Sequence, residues 1–187
     1  PAAKAKPLIK ISSRDRVIFP DSKATKGDLA DYYEAIGALM LPWAARRPVS
    51  LVRCPRGRAK QCFFQKHDAG SFGEHVKAVP ITEKDGGVED YLYIENSAGL
   101  LACVQMGTIE FHGWGSRIGT LEQPDRMVLD LDPDEGLDFG DVKKAAKDIH
   151  QTLADLGLAS FAMLSGGKGV HVIVPLEPKA QWPEVKD

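Results

Sequence analysis

The clearest hydrophobic periodicity lies in the later part of the chain. Apolar residues recur there at intervals of three and four, the spacing of one helix face. They are Phe139, Val142, Ala146, Ile149, Leu153 and Leu156. Asp138 occupies the N-cap position and Gly157 the C-cap position. The pattern therefore predicts an amphipathic helix between these two caps.

Short apolar runs flank this helix. The segment 127–132 precedes it, and the segments 161–164 and 170–174 follow it, separated from each other by a glycine-rich turn. Runs of four to six apolar residues bounded by turn residues are typical of β-strands. The later part of the chain is therefore expected to form a strand, a helix and a hairpin.

The first part of the chain gives a weaker pattern. Thr25 and Asp28 resemble a capping box, and the apolar spacing that follows predicts a helix that stops at Pro42. The later runs predict four strands and one short helix. The strands are at 49–53, 62–65, 91–94 and 108–112, and the helix is at 100–105. Together the elements predict an α/β fold with a mixed, largely antiparallel sheet and flanking helices.

Length and composition agree with one domain. Residues 1–7 read as a flexible basic lead-in, and residues 8–187 as one domain or the N-terminal part of one. No membrane span or signal peptide is visible, so an intracellular, cytoplasmic protein is the default expectation. The three cysteines, Cys54, Cys62 and Cys103, lack Cys-x-x-Cys spacing and are expected to be reduced thiols.

The charge is unevenly distributed along the chain. Residues 1–80 hold 15 Lys and Arg against 7 Asp and Glu, whereas residues 81–187 hold 9 against 19. One part therefore suits an anionic partner and the other suits cations, unless folding mixes the two.

Two acids in the strand at 127–132 are candidate metal ligands. Because side chains alternate along a strand, Asp130 and Asp132 share one face, about 6 to 7 Å apart, while Leu129 and Leu131 share the other. The simpler interpretation is a strand that runs into a solvated turn at 132–136.

The glycine-rich turn supports the metal interpretation. Ser165, Gly166 and Lys168 can donate to phosphate oxygens, and His171 begins the next strand. An ordinary hairpin and a packed histidine are the simpler interpretations. Carboxylates that face a phosphate-binding turn are the minimal layout for nucleotidyl transfer with Mg²⁺ or Mn²⁺.

The early basic residues and an aromatic pair suit nucleic acid. Four cations precede or begin the first helix, where backbone amides also favour an anion, and a solvated basic loop is the alternative. They are Arg14, Arg16, Lys23 and Lys26. Phe63 and Phe64 are adjacent, so in a strand one ring would be buried and the other free to stack on a base, unless both are simply packed.

Taken together, these motifs resemble those of archaeo-eukaryotic primase superfamily polymerases, in the form found in the polymerase domain of bacterial ligase D. The resemblance rests on the segments 130–133 and 165–172, on the basic segment that contains Ser13, Arg16 and Lys26, on Phe63-Phe64, and on 105–114. It covers nearly the whole chain. It implies a palm-like fold and template-directed, two-metal nucleotidyl transfer, with gap filling and end extension in bacterial non-homologous end joining.

The resemblance also implies roles for single residues. Asp130 and Asp132 would hold Mn²⁺ or Mg²⁺, and a second group would bind the nucleotide. That group is His112, Ser165, Gly166, Lys168 and His171. Ser13, Arg16 and Lys26 would bind a downstream 5′-phosphate, and Phe63 with Phe64 would contact the template.

The implied partners are DNA with 5′-phosphorylated gaps or ends, nucleoside triphosphates with a ribonucleotide preference, the bacterial Ku protein and a ligase domain. The family's third metal carboxylate is expected beyond Asp187, so these 187 residues alone should extend primers poorly. A non-catalytic DNA-end binding or bridging module is the main alternative. A glycosyltransferase would explain the acids but not the basic residues.

Overall fold

The structure is a computed structural model that describes residues 9–67 and 69–186. The expected lead-in at residues 1–7 lies outside the described residues. The chain divides into two compact units, residues 1–114 and residues 115–187. Among the described residues, no helix combines the length and apolar character that a membrane span requires.

The first unit contains seven strands and two helices within its described residues. In chain order they are β1 (Val17–Phe19), β2 (Ala24–Thr25), α1 (Lys26–Ala44), β3 (Val49–Arg53), β4 (Phe63–Gln65), β5 (Lys77–Thr82), β6 (Val88–Tyr93), α2 (Ser97–Gln105) and β7 (Thr108–Gly113). The strands form three antiparallel sheets, with orders β1-β2, β4-β3-β7 and β5-β6.

Alternation along β3 decides which face of the central sheet is covered. Val49 and Leu51 point into a buried cluster with Leu100 and Val104 of α2 and Tyr33 of α1. The opposite face of this sheet carries the alternate side chains and lies outside this buried cluster.

The second unit contains three strands and two helices within its described residues. They are β8 (Arg126–Leu131), α3 (Phe139–Asp155), β9 (Phe161–Leu164), β10 (Val170–Pro175) and α4 (Trp182–Lys186). The strand order is β8-β10-β9, with antiparallel pairing throughout. Leu129 and Leu131 pack with Leu153 of α3 and with Val172 and Val174 in one buried cluster.

The predicted fold class is confirmed. The structure is α/β with antiparallel strands and helices, and the strands of the described residues are spread over four small sheets rather than one mixed sheet. The caps at Asp138 and Thr25 are both present as capping boxes. Strands β1, β2 and β5 and helix α4 were not predicted.

The first helix does not stop at Pro42. It continues to Ala44, so Pro42 lies in its last turn. A proline removes one backbone donor, and here the carbonyl that loses its partner belongs to Ala38, which is exposed to water. The helix therefore tolerates the proline at little expense.

The expectation of three reduced cysteines is wrong for two of them. Cys54 and Cys62 are joined as a disulfide, and only Cys103 is a free, buried cysteine among the described residues. The two partners are eight residues apart and flank a loop between paired strands. Spacing in the sequence does not reveal that antiparallel pairing brings them together.

Candidate functional site

Ser13, Arg16 and Lys26 lie close together in the first unit, and we call this cluster the basic pocket. The loop that carries Arg16 is fixed to the start of α1 by two backbone bonds of 2.8 Å, from the Lys26 amide to the Arg16 carbonyl and from the Gly27 amide to the Arg14 carbonyl. A Cβ on Gly27 would lie 3.2 Å from Arg14, so glycine permits this close approach. The sequence therefore holds both cations at one helix end.

Hydrogen bonds separate the two arginines of this loop by role. Arg14 forms a 2.6 Å ion pair with Asp31, which neutralises its charge. The Arg16 guanidinium instead donates to neutral oxygens, the Pro55 carbonyl at 2.7 Å and the Ser13 hydroxyl at 3.4 Å. These bonds position Arg16 without an acidic partner. An anion site requires such a cation, because its charge is not neutralised by the groups that hold it.

Lys26 is the buried member of the basic pocket. Its side chain is 5% exposed, and its ammonium donates to the Gln105 carbonyl at 2.7 Å and to the Gln105 side-chain oxygen at 2.9 Å. Gln105 is held in turn by Ser12. Burial, and then the nearby Arg16 charge, lower the pKa of Lys26 from its usual value. An anion bound between these cations would offset their repulsion.

Gln105 and Ser12 were not predicted as parts of this pocket. Gln105 lies 79 residues after Lys26 and belongs to α2. A helix-end glutamine has no sequence signature for such a role, so only the fold reveals it.

The open face of sheet β4-β3-β7 carries Phe64 and His112. Phe64 pairs with Val52, and His112 pairs with Ser50, so the rings flank β3. Their centroids are 5.8 Å apart in an edge-on arrangement. The ring of Phe64 is 72% exposed, and His112 contacts Glu110 at 2.9 Å. This face offers a surface on which a base can stack.

Phe63 is not buried in hydrocarbon, contrary to the simplest expectation for one ring of an adjacent pair. It is 42% exposed and packs on the guanidinium of Arg53, 5.3 Å from the ring centroid. Arg53 also contacts the ring of Phe72 at 5.0 Å and donates to the Met106 carbonyl. Phe63 is therefore anchored by a cation, and Phe64 is the more accessible ring.

In the second unit, the predicted alternation of β8 is observed. Asp130 and the half-exposed Val128 lie on the face away from α3, while Leu129 and Leu131 pack toward it. Asp130 pairs with His171 across the sheet, and its carboxylate lies 3.2 Å from the Nε2 atom of His171.

Asp132 lies just after β8, against the glycine-rich turn of residues 165–169, which we call the glycine turn. A Cβ on Gly169 would collide with the Asp132 carboxylate and would lie 2.7 Å from the Leu131 carbonyl. Only glycine leaves this space, so Gly169 sets how closely the acid approaches the turn. Both acids are thus brought to the hairpin, and their role as metal ligands remains a prediction.

Ser165 organises the glycine turn internally. Its hydroxyl donates to the Gly169 carbonyl at 3.1 Å and accepts from the Gly169 amide at 3.2 Å. Gly166 has a φ of 87°, which favours glycine. Lys168 lines a cleft of about 550 Å³ together with Gly167 and residues 133–137 and 139. The turn therefore presents an ammonium and backbone groups, while the serine holds its shape.

The donor set fits a hard divalent cation. Asp130 and Asp132 supply exposed carboxylate oxygens, which Mg²⁺ and Mn²⁺ prefer, and these metals commonly complete their shell with phosphates and water. In the part of the chain that the structure describes, no group of three or more His, Cys, Asp or Glu is arranged to hold a metal. Two protein carboxylates with substrate oxygens are the arrangement that these residues support.

A model of the LigD primase-polymerase domain matches residues 25–187. The chain belongs to this family.

Characterised relatives agree with this family. The multifunctional non-homologous end joining protein LigD of Pseudomonas aeruginosa is 41% identical over 183 residues, which are 96% of this chain and 21% of that protein. The bifunctional non-homologous end joining protein LigD of Bacillus subtilis is 32% identical over 174 residues, which are 93% of this chain and 28% of that protein. The chain thus spans between a fifth and three tenths of these two relatives.

The fold is also similar to a solved structure of the family, the polymerase domain of Mycobacterium tuberculosis ligase D in complex with DNA. The TM-score is 0.82 at 31% identity, over 90% of this chain and 61% of that chain. This similarity supports the fold class and the LigD primase-polymerase membership.

Proposed function

We propose that this LigD-type domain is a template-directed nucleotidyltransferase that fills gaps and extends ends at DNA double-strand breaks. The family membership and the relatives' role in non-homologous end joining support the process. The solved relative was captured with DNA, which supports DNA as the substrate.

The observation that supports the proposal is that two acids lie beside the β9-β10 hairpin. Asp130 contacts His171, and Asp132 abuts Gly169, so the candidate metal ligands lie next to the candidate phosphate ligands. Asp130 and Asp132 would hold the divalent metals, two of which are expected. When bound, such ions supply Lewis acidity at phosphate oxygens. The protein side chains fix where the phosphates can lie.

The nucleotide is assigned to the glycine turn. Lys168 would place its charge on the triphosphate, while Ser165, through its bonds to Gly169, and Gly166, through its positive φ, would hold the shape of the turn that binds it. His171 would donate to a phosphate oxygen or sugar hydroxyl from the start of β10. In the first unit, a nucleotide-binding role of His112 stays a prediction from the family resemblance. A preference for ribonucleotides belongs to the proposal.

The DNA is assigned to the first unit. Arg16 and Lys26, with the Ser13 hydroxyl, would bind a 5′-phosphate on the downstream side of a gap, because both cations converge there and Arg16 bonds to neutral oxygens. Phe64, supported by Phe63, would stack on a template base. A bacterial Ku protein and a ligase domain are the partners that this role requires, and the bacterial nucleoid is the place.

The test replaces Asp130 or Asp132 by Asn, which keeps shape and removes charge. With the protein in excess over DNA, so that even slow extension is measured, extension of a primer across a gap with Mn²⁺ and nucleoside triphosphates should fall at least about a hundredfold relative to the unsubstituted chain. Binding of gapped DNA with a 5′-phosphate should change little. Extension that survives both substitutions would refute the catalytic role and favour a non-catalytic end-binding module.

A further inference from the structure

The pair Cys54 and Cys62 has no part in the function proposed above. The register of β3 and β4 pairs Arg53 with Phe63, so Cys54 and Cys62 are the next residues facing each other across the hairpin. Their Cα atoms are 4.4 Å apart, the spacing of a non-hydrogen-bonded antiparallel pair, and their sulfurs are joined. Pairing of the strands thus preforms a site for a disulfide.

The two sulfurs differ in access. Cys54 is fully buried beside Ile18 and Ile109, whereas Cys62 is half-buried and its sulfur lies 3.7 Å from the Lys60 carbonyl. A small thiol or disulfide reagent therefore meets Cys62 first. Burial raises the pKa of the third cysteine, Cys103, to about 12, so it remains an unreactive thiol.

The segment that the pair closes, residues 55–61, carries Arg56, Arg58 and Lys60, and we call it the basic loop. It lies against β1, because the Arg58 amide donates to the Ile18 carbonyl at 2.8 Å and a Cβ on Gly57 would lie 2.8 Å from the Val17 carbonyl.

The basic loop also supports the basic pocket. The Pro55 carbonyl accepts the 2.7 Å bond that positions Arg16. The start of the loop is fixed by a 2.9 Å bond from the Gly57 amide to the Cys54 carbonyl. A crosslink at the base of the basic loop therefore affects the position of Arg16, the proposed anion-binding side chain.

We infer that Cys54 and Cys62 form a redox modification site, whose reagents are small thiols and disulfides, and that oxidation immobilises the basic loop. The Cys62 thiolate attacks a small disulfide and releases one small thiol. The Cys54 thiolate then attacks the mixed disulfide and releases the second. Two electrons and two protons pass to the reagent, which becomes two thiols. Disulfides of cytosolic proteins are typically transient and redox-sensing, which suits this role.

The first test needs no DNA. The protein is equilibrated at a series of ratios of glutathione to glutathione disulfide, and trypsin then probes the exposed loop residues Arg56, Arg58 and Lys60. Cleavage in the basic loop should be about three- to tenfold slower in the oxidised protein, because the crosslink restricts local opening. Differential alkylation with mass spectrometry follows the Cys54–Cys62 bond itself.

Two variants control this experiment. Cys62→Ser changes a half-buried position, should keep the fold, and should make cleavage independent of the redox ratio. Cys103→Ala should leave the redox response intact. Absence of the Cys54–Cys62 bond at every ratio, or equal cleavage in both redox states, overturns the inference.

A second arm rests on the proposed function. Oxidised protein should bind gapped DNA with a downstream 5′-phosphate about three- to tenfold more tightly than reduced protein, and the same DNA without that phosphate equally in both states. One outcome is that cleavage by trypsin slows on oxidation while oxidised and reduced protein each bind the phosphorylated and unphosphorylated DNA equally well. In that case the proposed 5′-phosphate function fails while the modification site stands. If the preference for 5′-phosphorylated DNA is the same in oxidised and reduced protein, the proposed effect of the disulfide on Arg16 is overturned.

Discussion

The two units contain sheets of the same design, and the polar groups beside them have opposite charge. Each has three antiparallel strands with helices packed on one side, β4-β3-β7 in the first unit and β8-β10-β9 in the second. In the first unit, basic groups are tied to neutral carbonyls, as Arg16 is to Pro55 and Lys26 is to Gln105. In the second, Asp130 and Asp132 are exposed acids beside a glycine hairpin.

The difference shows that architecture does not decide function, whereas a few polar residues beside each sheet do. The basic pocket is held together by protein hydrogen bonds, from Arg16 to Pro55 and from Lys26 to Gln105. The acids make fewer contacts. Asp130 contacts His171, and Asp132 lies in the space that Gly169 leaves free. They are therefore suited to cations that arrive with substrate.

The largest effect is expected from Gly169→Ala. The added methyl group would collide with the Leu131 carbonyl and displace Asp132, so nucleotidyl transfer should fall by about a hundredfold. Binding of 5′-phosphorylated DNA by the first unit should be retained. Gly167→Ala is the matched control, because its methyl would meet only the Ser165 hydroxyl at 4.0 Å. Equal losses of nucleotidyl transfer in both variants would mean that Gly169 matters for the flexibility of the turn and not for the space that it leaves beside Asp132.

Arg16→Ala tests the basic pocket of the first unit. It should reduce the preference for 5′-phosphorylated over unphosphorylated gapped DNA by about tenfold or more, since a charged hydrogen-bond donor is lost. Arg14→Ala should have little effect because Asp31 already neutralises Arg14. Fluorescence anisotropy with the two DNAs measures both variants. A larger loss for Arg14 than for Arg16 would refute the assignment of the basic pocket.

Phe64→Leu should produce a smaller effect. Replacing the exposed ring removes base stacking, so affinity for DNA with a single-stranded template should drop by about fivefold. Phe63→Leu should instead lower stability, because it removes the contact with Arg53. Anisotropy and thermal unfolding separate the two results. If the effects are exchanged, Phe63 is the stacking ring.

The smallest effect concerns pH. The lowered pKa of Lys26 means that its charge is lost below the usual 10.5 as pH rises. Affinity for the 5′-phosphate should therefore decline a few-fold on the alkaline side, and Lys26→Arg should abolish this decline, because arginine keeps its charge.

The lowered pKa of Lys26 also makes the stability of the protein depend on pH. Between its lowered folded pKa and the unfolded value, the unfolded chain binds more protons, so the free energy of unfolding should rise with pH in that window. Denaturant titrations at several pH values would measure it. A fall in stability over the same window would contradict the burial of a charged Lys26.

The same contrast explains what the sequence could predict. The helix α3 and strands β3 and β9 follow from local apolar spacing, so they were predicted closely. Strand β5 contains Pro80, and β1 and β2 are only three and two residues long, so local patterns were too weak. These elements form only because partners elsewhere in the chain complete their hydrogen bonds.

For the site, local motifs predicted more in the second unit than in the first. The acids and the glycine turn are short motifs joined by one helix, so their meeting at the hairpin could be expected. The partnership of Lys26 with Gln105, and the pairing of Cys54 with Cys62, depend on tertiary contacts. Neither has a spacing signature in the sequence.

Binding of Mn²⁺ together with a nucleoside triphosphate tests the central claim most directly, and electron paramagnetic resonance of Mn²⁺ measures it without catalysis. The triphosphate should strengthen Mn²⁺ binding by the protein. Asp132→Asn and Lys168→Ala should each weaken the ternary complex, while Arg14→Ala should leave it unchanged. Equal binding by the wild-type protein and both site variants would contradict a metal–phosphate site at this hairpin.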